Sequence, residues 1–231
     1  MSTWSLVSLL TDDGPGPRVA ASAAGRLTSV PPLQGYADLA DVLTAWSAVE
    51  PLLRSFDPAD GVPLAGTVLA PVRSPHKLIC AGANYVDHLR EMGIPQLPSG
   101  LEPYFFLLPP TSIAGPDDVV VIPTDPGARV DWEAELAVVI GTPGRDISER
   151  DALDHVAGYT IMNDISARGY HGRKNPLAPP SPTTGWPARA ATRSPRSARA
   201  SRPPGSWRIR RICRSSCGAT AIWSRTAAPG T

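Results

Sequence analysis

No apolar run in the 231-residue chain approaches the roughly 18 to 20 residues that a membrane-spanning helix requires, so no membrane span is expected. The opening M-S-T-W-S-L-V-S-L-L lacks a basic start and breaks off at Thr11-Asp12-Asp13-Gly14, which argues against a secretory leader. Cysteine is scarce. Cys80, Cys213 and Cys217 are odd in number and suggest no disulfide framework, so a reducing cytoplasm is the expected compartment. Acidic residues and lysine are missing altogether from residues 181–231, which carry ten arginines, whereas residues 1–180 hold all 21 acidic side chains against 12 basic ones. The net charge of +1 thus averages a segment at −9 and another at +10. No ordinary domain boundary is so abrupt. The length leaves room for one substantial domain with an appendage.

What is present is organised around Val130 to Arg168. Asp131, Glu133 and Glu135 alternate with Trp132, Ala134 and Leu136 before the apolar run Ala137 to Ile140, the pattern of a strand entering a core. Residues two apart in a strand point the same way, with Cα atoms roughly 6.5 to 7 Å apart, so Glu133 and Glu135 aim two carboxylates at one spot. Two like charges leaving water together call for a neutralising cation, and an oxygen-rich set suits Mg²⁺, Mn²⁺ or Ca²⁺. Asp164, just past an expected strand Tyr159 to Met162, would complete three acids. The wet face of an edge strand gives the same Glu-x-Glu pattern, and from these residues alone both readings stand.

Between the acidic segments, Ser148-Glu149-Arg150-Asp151 approximates a capping box for a short helix. It would bury Ala152, Leu153 and Val156, end at Gly158 and return Asp164 toward Glu133 and Glu135; His155 suits the helix C-terminus. Upstream, short strands are expected at Leu6 to Leu10 and Arg18 to Ala21. The apolar positions Leu39, Val42, Leu43, Trp46, Val49, Leu52, Leu53 and Phe56 predict a helix capped by Asp38 and kinked or broken at Pro51. Turn signals mark Asp57 to Gly66 as a linker. Lys77 to Gly82 reads as a buried strand in which Cys80 is a packing residue. After it, Asn84 is positioned to cap a helix that Gly93 ends. His88 and Glu91 share a face of that helix, as a surface ion pair or as an imidazole oriented to activate water.

The strings D-W-E-A-E-L-A-V-V-I-G, A-G-Y-T-I-M-N-D-I-S-A-R and N-Y-V-D-H-L-R-E together resemble the fumarylacetoacetate hydrolase family. The resemblance implies an α+β, mainly β fold, a mixed β-sandwich roll of the fumarylacetoacetase C-terminal-domain type. It has a small N-terminal region over residues 1–72 and a catalytic domain over 74–180. It further implies that Glu133, Glu135 and Asp164 bind the metal, Mg²⁺ or else Mn²⁺ or Ca²⁺. His88 and Glu91 become the catalytic dyad on a lid, with Tyr85 and Arg168 as substrate contacts. The implied reaction is hydrolytic cleavage of a carbon–carbon bond in a β-diketo acid of the acylpyruvate type; isomerisation or decarboxylation of 2-hydroxydienoic or 2-oxo acids in aromatic catabolism is the alternative. The implied partners are a small oxo acid and a second copy of the chain, with no membrane and no nucleic acid. One departure concerns the substrate: the family commonly has a lysine before the proline where this chain has Leu108. Tyr104 to Leu108 and Val119 to Pro123 match two family strands. Leu108 and the basic stretch Arg168 to Lys174 are expected at the substrate entrance.

From Thr183 onward Arg, Ala, Pro, Ser and Thr dominate with little periodicity. Such a tail suits phosphate contacts in principle, yet it is also what a GC-rich gene yields out of frame. Permitted codons for Thr183 to Arg199, read two bases later, give D-W-L-A-G-K-G-R-D-T-F-A-P-L-G-P. Ala219 to Pro229 in the same phase gives N-G-D-L-V-Q-D-G-S-T. Both strings resemble the family's next segments. A frameshift or a sequencing error between Pro176 and Thr183 is therefore expected, with residues 181–231 an out-of-frame, disordered tail and Cys213-x-x-x-Cys217 no metal site. The family's catalytic lysine would then be encoded across Ala188 and Arg189 and be absent from this chain. An inactive, truncated remnant is the corresponding third expectation.

Overall fold

Short alternating segments separated by Gly and Pro turns favour strand pairing over helix packing, and the architecture follows from that. The computed structural model describes residues 4–82, 84–94, 104–170 and 221–223. Strand β1 (Trp4–Leu10) pairs antiparallel with β2 (Pro17–Ala23), and β2 with β3 (Arg26–Ser29). Both expected N-terminal strands are therefore present. The hairpin between β2 and β3 turns on Ala24 and Gly25 at φ of +48° and +80°, a two-residue connection whose twist matches that of its strands. Strand β4 (Thr67–Leu69) pairs with the far end of β1.

Asp38 caps the first helix as expected, accepting from the amides of Ala40 at 2.8 Å and Asp41 at 3.1 Å. The expected break at Pro51 is displaced: α1 (Leu39–Thr44) and α2 (Trp46–Ser55) meet at Ala45, and Pro51 lies inside α2. Pro51 removes a single ladder bond, which α2 tolerates because Trp46, Val49 and Leu53 are buried. The bend at Ala45 turns both helices onto one core with Trp4, Leu6, Val19, Ala21, Val30 and Leu33. Trp4 meets Phe56 edge-on, ring centroids 5.4 Å apart at 82°. Ala157 belongs to the same core, and a Cβ on Gly141 would come within 2.5 Å of the Trp46 indole. The N-terminal region is thus packed directly against the strands that carry the acidic motif.

Those strands are β7 (Val130–Asp131), β8 (Ala134–Ile140), β9 (Val156–Asn163) and β10 (Ser166–Ala167). Apart from them, β5 (Leu78–Gly82) and β6 (Tyr104–Leu108) form a two-stranded sheet with Cys80 opposite Phe106. The helix α3 (Val86–Glu91) starts one residue later than the expected cap, at Tyr85, and Asn84 caps nothing there. It stops at Gly93 as expected. That glycine has φ +82°, and the amides of Gly93 and Ile94 return to the carbonyls of Arg90 and Leu89 at 2.9 Å each, closing a Schellman motif. In the main sheet the order is β3-β2-β1-β11-β9-β8, where β11 (Ala221–Trp223) bridges β1 and β9. These three residues fall in the stretch expected to be disordered and form a strand. The rest of that stretch, with Cys213 and Cys217, lies outside the described residues.

Four expectations are corrected. Glu149–His155 is a 3-10 helix with none of its residues buried; Ser148 caps it through the Asp151 amide, but Leu153 is 73% exposed and Gly158 lies within β9. No strand forms at Val119 to Pro123, and Val119, Val121 and Ile122 are exposed. In β5 only Cys80 is buried. Only part of the apolar run of β8 enters a core: Val139 packs against the core of the N-terminal region, and Glu135 and Ala137 face the same way, whereas Leu136, Val138 and Ile140 are 58%, 51% and 56% exposed. A strand buries whichever face has a partner, and among the described residues the partner lies on the glutamate side. Among the described residues no helix is long and apolar enough to cross a membrane.

Candidate metal centre

Strands β8 and β9 pair in register from Ala134 opposite Asn163, with Glu135 opposite Met162. Beyond Asn163 the ladder breaks on both sides and resumes with Ser166 opposite Asp131. Two bonds span the break: the Asp164 amide donates to the Glu133 carbonyl at 2.9 Å, and the Glu133 amide to Asn163 Oδ1 at 3.0 Å. The N-D-I-S sequence is suited to this, because Asn and Asp side chains support backbone turns that regular ladder residues do not. The paired irregularity carries Asp164 inward, to 4% exposure.

There the carboxylates of Glu135 and Asp164 meet the thiol of Cys80, each offering one donor atom, all within 4.8 Å of one another. Cys80 and Asp164 are buried and Glu135 is half-buried. Three strands thus converge on one point, β5 from one sheet and the β8–β9 pair from another. Two carboxylates this close and this far from water favour a cation between them. The donor set fits a divalent metal ion: two oxygens for a hard cation, and a sulfur for a softer one.

The three expected ligands are therefore divided. Glu135 and Asp164 stand together, whereas the Glu133 carboxylate is engaged by the guanidinium of Arg168, which also reaches Asp131 Oδ2 through Nε at 3.3 Å. Arg168 is positioned by its backbone, whose amide donates to the Arg129 carbonyl at 3.1 Å. The next residue must be glycine: a Cβ on Gly169 would lie 1.6 Å from the Gly127 carbonyl oxygen. Tyr170 then donates its hydroxyl to Asp125 Oδ2 at 3.1 Å. Desolvation, and next the bond to Asp125, push the Tyr170 pKa above its usual value.

His88 and Glu91 share one face of α3 as the spacing predicts, with Nδ1 3.7 Å from Oε2 and side chains 42% and 80% exposed. Tyr85, at the start of that helix, is 59% exposed. Leu108, expected at the substrate entrance, is 7% exposed. An apolar end of β6 is better buried than a lysine would be. Lys174, the far end of the expected basic border, lies outside the described residues. The residue that sequence reasoning missed is Cys80. Its burial was legible from the strand, but nothing within the strand says that its sulfur faces two acids more than fifty positions away.

Residues 77–189 match the model of the fumarylacetoacetate hydrolase C-terminal family. A mitochondrial oxaloacetate tautomerase of Xenopus laevis is 50% identical over 109 residues, 47% of this chain and 33% of that protein. The chain thus spans about a third of the length of the curated relatives it matches. Among solved structures, the fumarylacetoacetate hydrolase of Exiguobacterium antarcticum is 33% identical at a TM-score of 0.54, covering 73% of this chain and 57% of that one. The maleylpyruvate hydrolase of Sphingobium sp. SYK-6 is 26% identical at a TM-score of 0.52, covering 71% and 59%.

Proposed function

The chain belongs to the fumarylacetoacetate hydrolase family through residues 77–189, and on that premise we propose that it is built to cleave a carbon–carbon bond in a small β-diketo acid. The observation that carries this reading is the convergence of the Glu135 and Asp164 carboxylates. Glu133, two residues before Glu135, is the third candidate ligand and becomes available once Arg168 releases it. Glu135 and Asp164 would hold a divalent cation, Mg²⁺ or Mn²⁺, which would supply Lewis acidity toward the oxo acid. His88 takes the proton of the attacking water at Nε2, while Glu91 holds Nδ1 and stabilises the imidazolium; the 3.7 Å contact is of the loose kind that tightens around substrate. Arg168 and Tyr85 serve as contacts for the acid's carboxylate and carbon chain. The reading includes a dimer of two copies and a reducing compartment, in keeping with the free-thiol chemistry of the site.

The test is metal-dependent hydrolysis of an acylpyruvate, with Mn²⁺ binding followed in parallel. Glu135→Gln and Asp164→Asn are expected to lose both, and His88→Ala to lose turnover while binding Mn²⁺ as before. Undiminished Mn²⁺ binding in Glu135→Gln and Asp164→Asn overturns the assignment.

Two further readings each have an observation in their favour. Half the residues in the aligned stretch are shared with a protein named an oxaloacetate tautomerase, which favours isomerisation of a 2-oxo acid at the same site. Oxaloacetate converted between keto and enol forms, with acylpyruvate left intact, decides for it. The exposed apolar face of β8 favours the second: the gene is shifted out of frame near Pro176, and this chain is an inactive remnant lacking the strands meant to cover that face. Resequencing the codons for Asn175 to Gly185 settles it.

A further inference from the structure

Cys80 is not required by the reading above, yet its sulfur is one of the three donors at the centre. It is 5% exposed, and its Sγ lies within 4.8 Å of the nearest carboxylate oxygens of both Glu135 and Asp164. Packing alone accounts for a small apolar side chain opposite Phe106, but not for one whose polar atom is turned to two carboxylates. Each donor comes from a different stretch of chain, so the cluster is a product of the tertiary fold and not of local sequence.

Hard cations and thiols pair poorly. Mg²⁺ keeps oxygen ligands and much of its water, whereas Zn²⁺, Co²⁺ and Cd²⁺ take thiolate readily. From metal–sulfur and metal–oxygen bond lengths near 2.3 and 2.1 Å, a sulfur and an oxygen on one tetrahedral ion lie roughly 3.6 Å apart. At 4.8 Å or less, the sulfur–oxygen separations therefore need to contract by about 1.2 Å at most, which side-chain rotation provides. On coordination the thiol loses its proton to solvent, and the resulting thiolate, with two carboxylates, gives a trianionic donor set once all three are ionised.

We propose that Cys80 is a third metal donor at this centre, so that a thiophilic divalent cation binds through its thiolate and displaces the oxygen-liganded cation. The proposal rests on Glu135 and Asp164 being cation ligands. Its consequence is a site that distinguishes two classes of metal: Mg²⁺ or Mn²⁺ engages the carboxylates and leaves the sulfur aside, while Zn²⁺, Co²⁺ or Cd²⁺ engages all three and is held more tightly.

The experiment uses the full chain with Cys213→Ser and Cys217→Ser, leaving Cys80 as the one cysteine of the three. Cobalt(II) is titrated in, and two signals are read: visible d–d bands, which report any bound Co²⁺, and the near-ultraviolet charge-transfer band, which requires a thiolate ligand. Both are expected, saturating together at one equivalent. Adding Cys80→Ser removes the charge-transfer band, leaves Mn²⁺ binding by electron paramagnetic resonance within about twofold, and raises the Zn²⁺ needed to displace Mn²⁺ at least tenfold. Visible bands without charge transfer overturn the role of Cys80 while the carboxylate site survives. Absence of both overturns the carboxylate reading and this proposal together. The first two signals come from the chain that retains Cys80, so they decide the matter even if Cys80→Ser does not fold.

Discussion

The guanidinium of Arg168 is bonded to the Glu133 carboxylate and, through Nε, to Oδ2 of Asp131 at 3.3 Å, joining two acids that flank the break between β7 and β8. With side chains 31% and 19% exposed for Arg168 and Glu133, this pair is shielded more than an ordinary surface bridge. Arg168→Ala leaves the two carboxylates without their cation. A loss of about 1 to 3 kcal/mol is expected in urea unfolding, and added Mn²⁺ should recover part of it by neutralising the same acids. Equal stability of the two chains in metal-free buffer counts against the arrangement.

Gly169 is the sharpest steric constraint near the site. Because an added Cβ would stand 1.6 Å from the Gly127 carbonyl oxygen, Gly169→Ala forces the backbone that carries Arg168 to move. We expect about 2 kcal/mol or more of destabilisation. Gly16→Ala is the control, since nothing lies within 4 Å of its Cβ, and its effect should stay within about 0.5 kcal/mol. Parity between the two substitutions refutes the close approach.

The outward face of β8 separates the two readings of the C-terminal region. In the chain as it stands, Val138→Thr with Ile140→Lys replaces residues already 51% and 56% exposed. Stability should change by no more than about 0.5 kcal/mol and aggregation should fall. In a chain expressed from the frame restored near Pro176, the same pair should cost about 2 to 4 kcal/mol, because the restored strands would bury both positions. If the restored chain tolerates the pair equally well, the frame explanation of the bare face is lost.

Alkali should reveal Tyr170. Its pKa is raised by desolvation and by the hydroxyl bond to Asp125, so the folded state holds the proton more tightly than the unfolded chain does. The stability this contributes is complete below the ordinary tyrosine pKa of about 10 and is lost as pH rises through the folded value. Stability measured against pH should therefore fall less steeply above about pH 10 in Tyr170→Phe than in the parent. Identical slopes would mean that Tyr170 ionises as freely folded as unfolded.

Removing Glu91 should separate orientation from proton transfer at the proposed dyad. Glu91→Gln keeps the shape of the side chain but not the charge 3.7 Å from His88 Nδ1. Turnover should fall about tenfold or more, while Mn²⁺ binding stays as it was. Undiminished turnover makes the pair incidental.

Several features were legible from the sequence because they are decided within about four residues. Asp38 stops the amides of Ala40 and Asp41, Ser148 caps a helical turn, and Gly93 ends α3 because its φ of +82° suits no other residue as well. The short strands β1, β2 and β9, the helical stripe from Leu39 to Leu53 and the shared face of His88 and Glu91 are local in the same sense. So is the motif strip that identifies the family.

Only the tertiary structure decided the rest. The two helices bend at Ala45 and not at Pro51 because both must reach one core. The face of β8 that turns inward was fixed by what lies opposite it, and the alternation of the strand is the same whichever face that is. Arg168 takes Glu133 across 35 positions and leaves Glu135 to Asp164. Cys80 joins those two carboxylates from a separate sheet. Sequence spacing specifies the direction of a side chain along its own element, whereas a binding site is made where elements meet, and that meeting is set by the packing of the whole chain.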